Sequence, residues 1–198
     1  MSPAGAFHAG ALPASPSADA GGLSAEACVV TDSERLWFLG TLARMKLDGQ
    51  QTAGRLALWE GMLPHGAAPP LHSHPQDETL YLLEGEVTAW LVEPDVAADP
   101  SNPPGWVETR GRRCHAGAVV YAPGGAPHTF RVESDTARML FLSTPAGIED
   151  YVRALGEPAR WPWLQPPPDG PRVPAERMDA VERELGMVRL GPPPPPPS

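Results

Sequence analysis

Residues 66–85 read GAAPPLHSHPQDETLYLLEG and contain two histidines, His72 and His74, at a spacing typical of metal ligands. One residue separates them, so in an extended segment both imidazoles point to the same side. Prolines before and after the pair stiffen the segment and keep the imidazoles aligned. Glu78 follows His74 by four residues at the start of the next apolar run, where a short bend would bring its carboxylate to the same side. The spacing therefore predicts that these three side chains share one site.

A second segment rich in glycine and proline, residues 117–128, reads GAVVYAPGGAPH and ends in His128. Its glycines and proline allow a tight turn between strands, after which His128 opens the next strand and points inward. Three imidazoles and one carboxylate suit a borderline divalent cation and leave positions open on a five- or six-coordinate ion. We therefore predict one metal site made of His72, His74, Glu78 and His128, with the open positions of a catalytic centre.

The composition fits a globular protein of one domain, or one domain with an appendage: of 198 residues, 41% are apolar and 20% charged. The net charge is −9 and there is no basic cluster, which argues against nucleic acid and anionic membrane surfaces as partners. Two cysteines, Cys28 and Cys114, give no disulfide framework, so we expect a reduced, cytoplasmic protein. No apolar run approaches the roughly 20 residues of a membrane-spanning helix.

Four segments differ in composition. Residues 1–27 consist mainly of Ala, Gly, Ser and Pro, which predicts a flexible arm. Residues 28–146 alternate short apolar runs with turns, which predicts an all-β sandwich or barrel. Residues 147–190 have helical spacing at 148–155 and 174–185, which predicts a helical extension packed on the outside. Residues 191–198 form a polyproline tail, for which we expect a passive, extended conformation.

The predicted strands are residues 36–47, 55–63, 79–83, 86–92, 118–122, 128–133 and 137–143. Asp48-Gly49 ends the first as a turn and Pro64 stops the second. Glu84-Gly85 predicts a hairpin between the third and the fourth. Residues 94–105, rich in proline, predict a loop.

The two segments resemble the two motifs of the cupin superfamily. Gly66-x5-His72-x-His74-x3-Glu78-x6-Gly85 matches the first motif at every defined position, and Gly117-x5-Pro123-x-Gly125-x2-His128 matches the second. The second motif usually ends in Asn, whereas this chain has Val132 there, a change that removes no metal ligand. The resemblance covers roughly residues 36–145 and implies a double-stranded β-helix, the jelly-roll barrel, with the C-terminal helices outside.

Residues 144–151, TPAGIEDY, with the helix and the proline-rich stretch after them, look like the tail of single-domain bacterial quercetinase-like cupins. This resemblance implies a dioxygenase that acts on a phenolic or enolic aromatic small molecule, a flavonol or polyketide-type compound. It implies one divalent ion (nickel, iron, manganese, cobalt, copper or zinc) and dioxygen as co-substrate. Glu78 would be the catalytic base for a substrate hydroxyl, with its pKa raised by burial. Cupin barrels commonly pair through edge strands, so we expect a homodimer.

Two other functions stay open at this point. The same metal could act as a Lewis acid in a non-redox isomerase, cyclase or decarboxylase, or the chain could be a small-molecule-binding cupin without activity. His115 beside Cys114 is expected at the surface, and His65 in a turn. Some of the large apolar residues on the strands could form a flat pocket for an aromatic ring: Met45, Trp59, Leu80, Leu82, Phe130, Met139 and Phe141.

Overall fold

Two antiparallel β-sheets dominate the structure, a computed structural model that describes residue 25 and residues 27–92, 111–163 and 173–192. The strands there are β1 (Arg35–Phe38), β2 (Thr41–Leu47), β3 (Ala57–Pro64), β4 (Leu71–Ser73), β5 (Asp77–Glu84), β6 (Glu86–Leu91), β7 (Arg112–His115), β8 (Val119–Ala122), β9 (His128–Val132), β10 (Thr136–Thr144), β11 (Glu157–Pro158) and β12 (Val188–Gly191). The helices are α1 (Ile148–Leu155) and α2 (Ala175–Glu184).

The order of the strands is that of a jelly roll. One sheet has the order β11-β1-β2-β3-β10-β5-β8, and the other has the order β12-β4-β9-β6-β7. Neighbours such as β4 and β9 are far apart in the sequence, because the chain crosses repeatedly from one sheet to the other. A single core cluster contains residues of both sheets, for example Leu80 and Met139 from the first and Val87 and Phe130 from the second. The predicted all-β jelly roll is confirmed.

Alternating burial along β5 explains how a charged residue enters the barrel. Glu78, Leu80 and Leu82 are buried, and the residues between them are more exposed. Successive side chains of a strand point to opposite faces, so residues two apart share one face. The carboxylate of Glu78 therefore lies on the interior face with the two leucines.

Residues 36–47 form two strands, so the prediction of a single strand is wrong. β1 and β2 pair through a two-residue turn at Leu39 and Gly40, whose φ angles are 47° and 83°. Hairpin turns with two positive φ angles match the twist of the strands, and Asn-Gly or Asp-Gly is their usual sequence. Leucine at the first position is unusual, so Gly40 alone gives only a weak signal for this turn.

The predicted hairpin at Glu84-Gly85 is also wrong. β5 pairs with β10 and β8, whereas β6 pairs with β7 and β9, so β5 and β6 lie in different sheets. Gly85 has a φ of +87°, and a Cβ there would lie 2.4 Å from the carbonyl oxygen of Thr136. Glycine permits a sharp corner at which the chain leaves one sheet for the other. A glycine with positive φ serves a corner as well as a hairpin, so the sequence does not distinguish the two.

Both helices lie outside the barrel, as predicted. α1 buries Ile148, Val152 and Leu155 on one face, and α2 contacts α1. The C-terminal extension is not only helical, because β11 pairs with β1 and β12 pairs with β4. No helix in the described part of the chain is long and apolar enough to cross a membrane. The predicted loop at 94–105 and nearly all of the predicted arm and tail lie outside the described residues.

Candidate metal centre

The structure brings the four predicted ligands together. His72 on β4 lies directly opposite His128 on β9, His74 follows β4, and Glu78 is on β5. Each side chain offers one donor atom, and the four atoms lie within 4.8 Å of one another. His74, Glu78 and His128 are buried, with exposed fractions of 3%, 7% and 4%. Residues up to 56 positions apart in the sequence therefore form one compact donor set.

The three imidazoles are held in the same way. Each ring places Nδ1 within hydrogen-bond distance of the carbonyl oxygen of a residue two positions away in the sequence. These contacts join His72 to Pro70 (2.8 Å), His74 to Gln76 (3.0 Å) and His128 to Ala126 (2.8 Å). A carbonyl oxygen can only accept, so Nδ1 must carry the hydrogen and donate it. The other nitrogen, Nε2, then presents a lone pair in the neutral ring, which is the usual arrangement of metal-bound histidine.

The donor set fits a cation. Nε2 of His74 is buried and has no hydrogen-bond partner among the described residues, although Oε2 of Glu78 lies 3.6 Å away. Nε2 of His128 lies 3.0 Å from the same oxygen. Two nitrogen lone pairs that face one carboxylate repel it unless a proton or a metal ion lies between them. Three imidazole nitrogens and a carboxylate oxygen suit a divalent transition metal, so the residues fit the predicted ion.

The electrostatics of the cluster reflect this close approach. Burial, together with the charge of His128, lowers the pKa of His72 to about 4. Burial also acts to lower the pKa of His128, but the carboxylate of Glu78 outweighs it and the pKa is raised. For Glu78, burial acts to raise the pKa, but the contacts with His128 and His74 outweigh it and the pKa is lowered. The predicted rise in the pKa of Glu78 is therefore wrong, because the sequence does not show that two imidazoles contact the carboxylate.

Hydrogen bonds donated by the backbone of the second motif segment also join it to the first. The N–H of Gly124 donates to Oδ1 of Asp77 at 2.7 Å, and the N–H of Gly125 donates to the carbonyl oxygen of His74 at 2.8 Å. A Cβ at residue 124 would lie 2.3 Å from the carbonyl oxygen of Pro75, so only glycine allows this approach. The glycine turn of the second segment therefore fixes the backbone that carries His74 and leads to Glu78.

A cavity of about 300 Å³ lies against the four donors. Its walls include the aromatic side chains of Phe38, Trp59, Phe130, Phe141 and Tyr151. Trp59 and Phe141 stack in parallel, with ring centroids 3.9 Å apart and an angle of 4° between the planes. Three of the seven residues predicted for an apolar pocket thus line the cavity, and the other four are buried in the core. The volume lies at the lower end of the range of small-molecule sites.

The C-terminal segment supplies part of the cavity that the sequence did not predict. Tyr151 on α1, Glu182 on α2 and Arg189 on β12 line it together with the barrel residues. Nothing in their sequence context indicates this position, because each reaches the cavity only through the docking of the helices and β12. His115 is exposed and lies near Glu86, and the exposed His65 contacts the carbonyl oxygen of Ser134.

Comparison with known proteins gives one curated relative and several similar structures. The chain is 24% identical over 128 residues to "Quercetin 2,3-dioxygenase" of Bacillus subtilis (strain 168), a match that covers 64% of this chain and 33% of the relative. The chain thus spans about a third of the length of the relative it matches. No protein-family model matches the chain.

The similar structures share the general shape at low identity. An RmlC-like cupin from Shewanella frigidimarina is 16% identical with a TM-score of 0.48, over 66% of this chain and 99% of the other. KdgF from Halomonas sp. is 17% identical with a TM-score of 0.44, over 57% and 86%. The polyketide cyclase RemF from Streptomyces resistomycificus is 24% identical with a TM-score of 0.41, over 61% and 73%.

Because these TM-scores are all below 0.5, the family of the chain is assigned from its own sheets and motifs and from the sequence relative. The strand order is that of a jelly roll, and both motifs carry their histidines and glutamate. The relative matches over 64% of the chain. Together these findings place the chain in the cupin superfamily.

Proposed function

We propose that the chain is a metal-dependent cupin dioxygenase that acts on a phenolic or enolic aromatic small molecule, a flavonol or polyketide-type compound. The observation that carries the proposal is the position of the four donors against a cavity with aromatic walls. The name of the sequence relative supports the reaction type. In this proposal His72, His74, Glu78 and His128 hold one divalent ion of nickel, iron, manganese, cobalt, copper or zinc.

The chain's own residues would prepare the site in three ways. The Nδ1 bonds to backbone carbonyls hold the three rings with Nε2 towards the centre. The parallel rings of Trp59 and Phe141 offer a flat apolar surface for an aromatic substrate. The apolar walls would also limit the access of water, which strengthens electrostatic interactions inside the cavity. A divalent ion would supply Lewis acidity and open coordination positions for an oxygen of the substrate.

Glu78 is also proposed as the proton acceptor for the substrate hydroxyl. Its carboxylate is buried at the cavity beside the three imidazoles, where an enol or phenol oxygen would bind. A carboxylate with a lowered pKa is ionised at neutral pH but is a weak base, so the substrate hydroxyl must itself be acidic. Enols and phenols near a cation meet this requirement better than aliphatic alcohols.

Oxygen uptake by metal-loaded protein tests the proposal. Each candidate metal is added to metal-free protein, and oxygen consumption is recorded with a panel of flavonols and other phenols. His74→Ala and Glu78→Ala should abolish uptake, whereas His115→Ala should keep it, because His115 is exposed and does not line the cavity. Conversion of substrate at the same rate without oxygen would refute the dioxygenase.

A non-redox isomerase, cyclase or decarboxylase is the second candidate. The observation that favours it is the donor set itself, since three imidazoles and a carboxylate suit redox-silent zinc as well as redox-active metals. Turnover by the zinc form without oxygen would identify this class, and binding without turnover of any kind would identify a small-molecule-binding cupin. The homodimer stays a prediction, which light scattering on the eluting protein would test.

A further inference from the structure

Helix α2 buries a charge where an apolar residue would be expected. Among its ten residues, the buried one is Glu182, which is 8% exposed. A surface helix usually docks through an apolar stripe, because removing a carboxylate from water is unfavourable unless it is paired. We therefore expect the buried carboxylate of Glu182 to have a partner group, a function, or both.

Two protein donors already contact this carboxylate. Nε of Arg189 donates to Oε2 at 2.7 Å, and the hydroxyl of Tyr151 donates to Oε1 at 3.2 Å. Arg189 also pairs with Asp179, so its charge is shared between two carboxylates. An ionised carboxylate has about four acceptor positions. The carboxylate of Glu182 thus retains acceptor capacity after both contacts are made.

Glu182 and Arg189 lie at the cavity and near the four candidate metal ligands. Glu182, Tyr151 and Arg189 all line the cavity, and Arg189 on β12 is directly opposite His72 on β4. Besides Glu78, the carboxylate that lines the cavity among the described residues is Glu182. The cavity therefore has two polar places with apolar walls: the four donors, and Glu182 with its two partners.

We propose that Glu182 is a substrate-recognition residue that accepts a hydrogen bond from a second hydroxyl of the substrate. The inference rests on the proposed function, in which a first hydroxyl of the same molecule binds at the four donors. Arg189 positions the carboxylate, the hydroxyl of Tyr151 occupies one of its acceptor positions, and the aromatic walls hold the ring system between the two polar places. The site would select a flat aromatic compound with several hydroxyls over one with a single enolic hydroxyl.

The affinities of two probes test this selection. Quercetin and 3-hydroxyflavone share the ring system and the enolic hydroxyl, but only quercetin has further hydroxyls. Isothermal titration under nitrogen measures both dissociation constants for metal-loaded protein without turnover. For the unmodified protein, the Kd of 3-hydroxyflavone should exceed that of quercetin by about tenfold or more, because a hydrogen bond to a charged acceptor is at stake.

Glu182→Gln should reduce this ratio to about threefold or less and leave the Kd of 3-hydroxyflavone unchanged. The matched control, Glu184→Gln, removes an exposed charge from the same helix and should keep the ratio. If Glu182 only anchors the helix, its replacement will weaken both probes equally, and that result overturns the proposal. An equal affinity of the unmodified protein for both probes overturns it as well.

Tyr151→Phe gives a second test, which decides the matter if circular dichroism shows that Glu182→Gln does not fold. Removal of the phenol hydroxyl frees one acceptor position of Glu182, so the ratio should rise by about threefold. An unchanged or lower ratio overturns the proposal. If the ratio of the two dissociation constants is kept but no oxygen is taken up, the dioxygenase is refuted and the recognition role of Glu182 is not. If the protein binds neither probe, the dioxygenase and the recognition role are both refuted.

Discussion

Replacement of Glu149 by Gln should destabilise the protein strongly although the side chain keeps its shape. Glu149 is 3% exposed, and its two oxygens accept from the backbone N–H of Gly49 at 2.9 Å and of Gly147 at 2.6 Å. These bonds tie the turn between β2 and β3 to the start of α1. Gln offers one acceptor oxygen and places its NH2 group against the other N–H. One charge-assisted bond therefore becomes neutral, and one half-buried donor is left without a partner.

The unpaired N–H costs about 1–3 kcal/mol, and the loss of charge assistance adds about 1 kcal/mol, so we expect a destabilisation of about 3 kcal/mol. For a chain of this size, that lowers Tm by roughly 6–12 °C in a thermal melt followed by circular dichroism. Asp150→Asn is the matched control, because it removes an exposed charge from the same helix turn and should change stability by at most about 1 kcal/mol. If Glu149→Gln shifted Tm no more than this control, the two bonds would not hold α1 to the barrel.

Three further predictions concern the metal and the cavity. His128→Ala should lose most bound metal by elemental analysis, whereas His115→Ala should retain it, and equal loss in both would contradict the site. Metal affinity should be roughly tenfold or more weaker at pH 6 than at pH 8, because the raised pKa of His128 favours the protonated ring that cannot bind; competition with a chelator measures this. Gly61→Ala should destabilise the fold by about 1–3 kcal/mol in urea unfolding, because a Cβ there would lie 2.8 Å from Phe141 and 3.0 Å from Trp59; an unchanged midpoint would contradict this.

The convergence of the four candidate metal ligands could be predicted from the sequence because the spacing that indicates it is local. His72 and His74 share a side through the two-residue period of an extended chain, and Glu78 follows within one bend. His128 is distant, but its glycine turn docks on the backbone next to His74. The four residues come together as predicted. The predicted rise in the pKa of Glu78 is wrong, because this pKa depends on contacts across the barrel that spacing does not show.

The errors in the fold arise where one local signal is compatible with two structures. Gly85 supplies a positive φ that serves a hairpin or a corner equally well, and the choice depends on which distant strands pair with β5 and β6. The turn at Leu39-Gly40 has the usual glycine at its second position but leucine at the first, so its local signal is weak. The error at Gly85 concerns pairing over long sequence distances, which short-range propensity does not determine, whereas β1 and β2 form a local hairpin.

The role of the C-terminal segment could not be read from the sequence for a different reason. In isolation, Glu182 is one acidic residue among several on a polar helix, and Arg189 is one of the chain's fourteen arginines. Their position at the cavity depends on β12, which pairs with β4 and thereby brings Arg189 opposite His72. β4 carries the candidate ligand His72, and the C-terminal extension pairs with β4 through β12. Any shift of β12 would therefore move the charged wall of the cavity relative to the candidate metal centre. We therefore expect the barrel motifs to set the chemistry of the candidate centre, and the extension, which has no motif, to select the molecules that bind in the cavity.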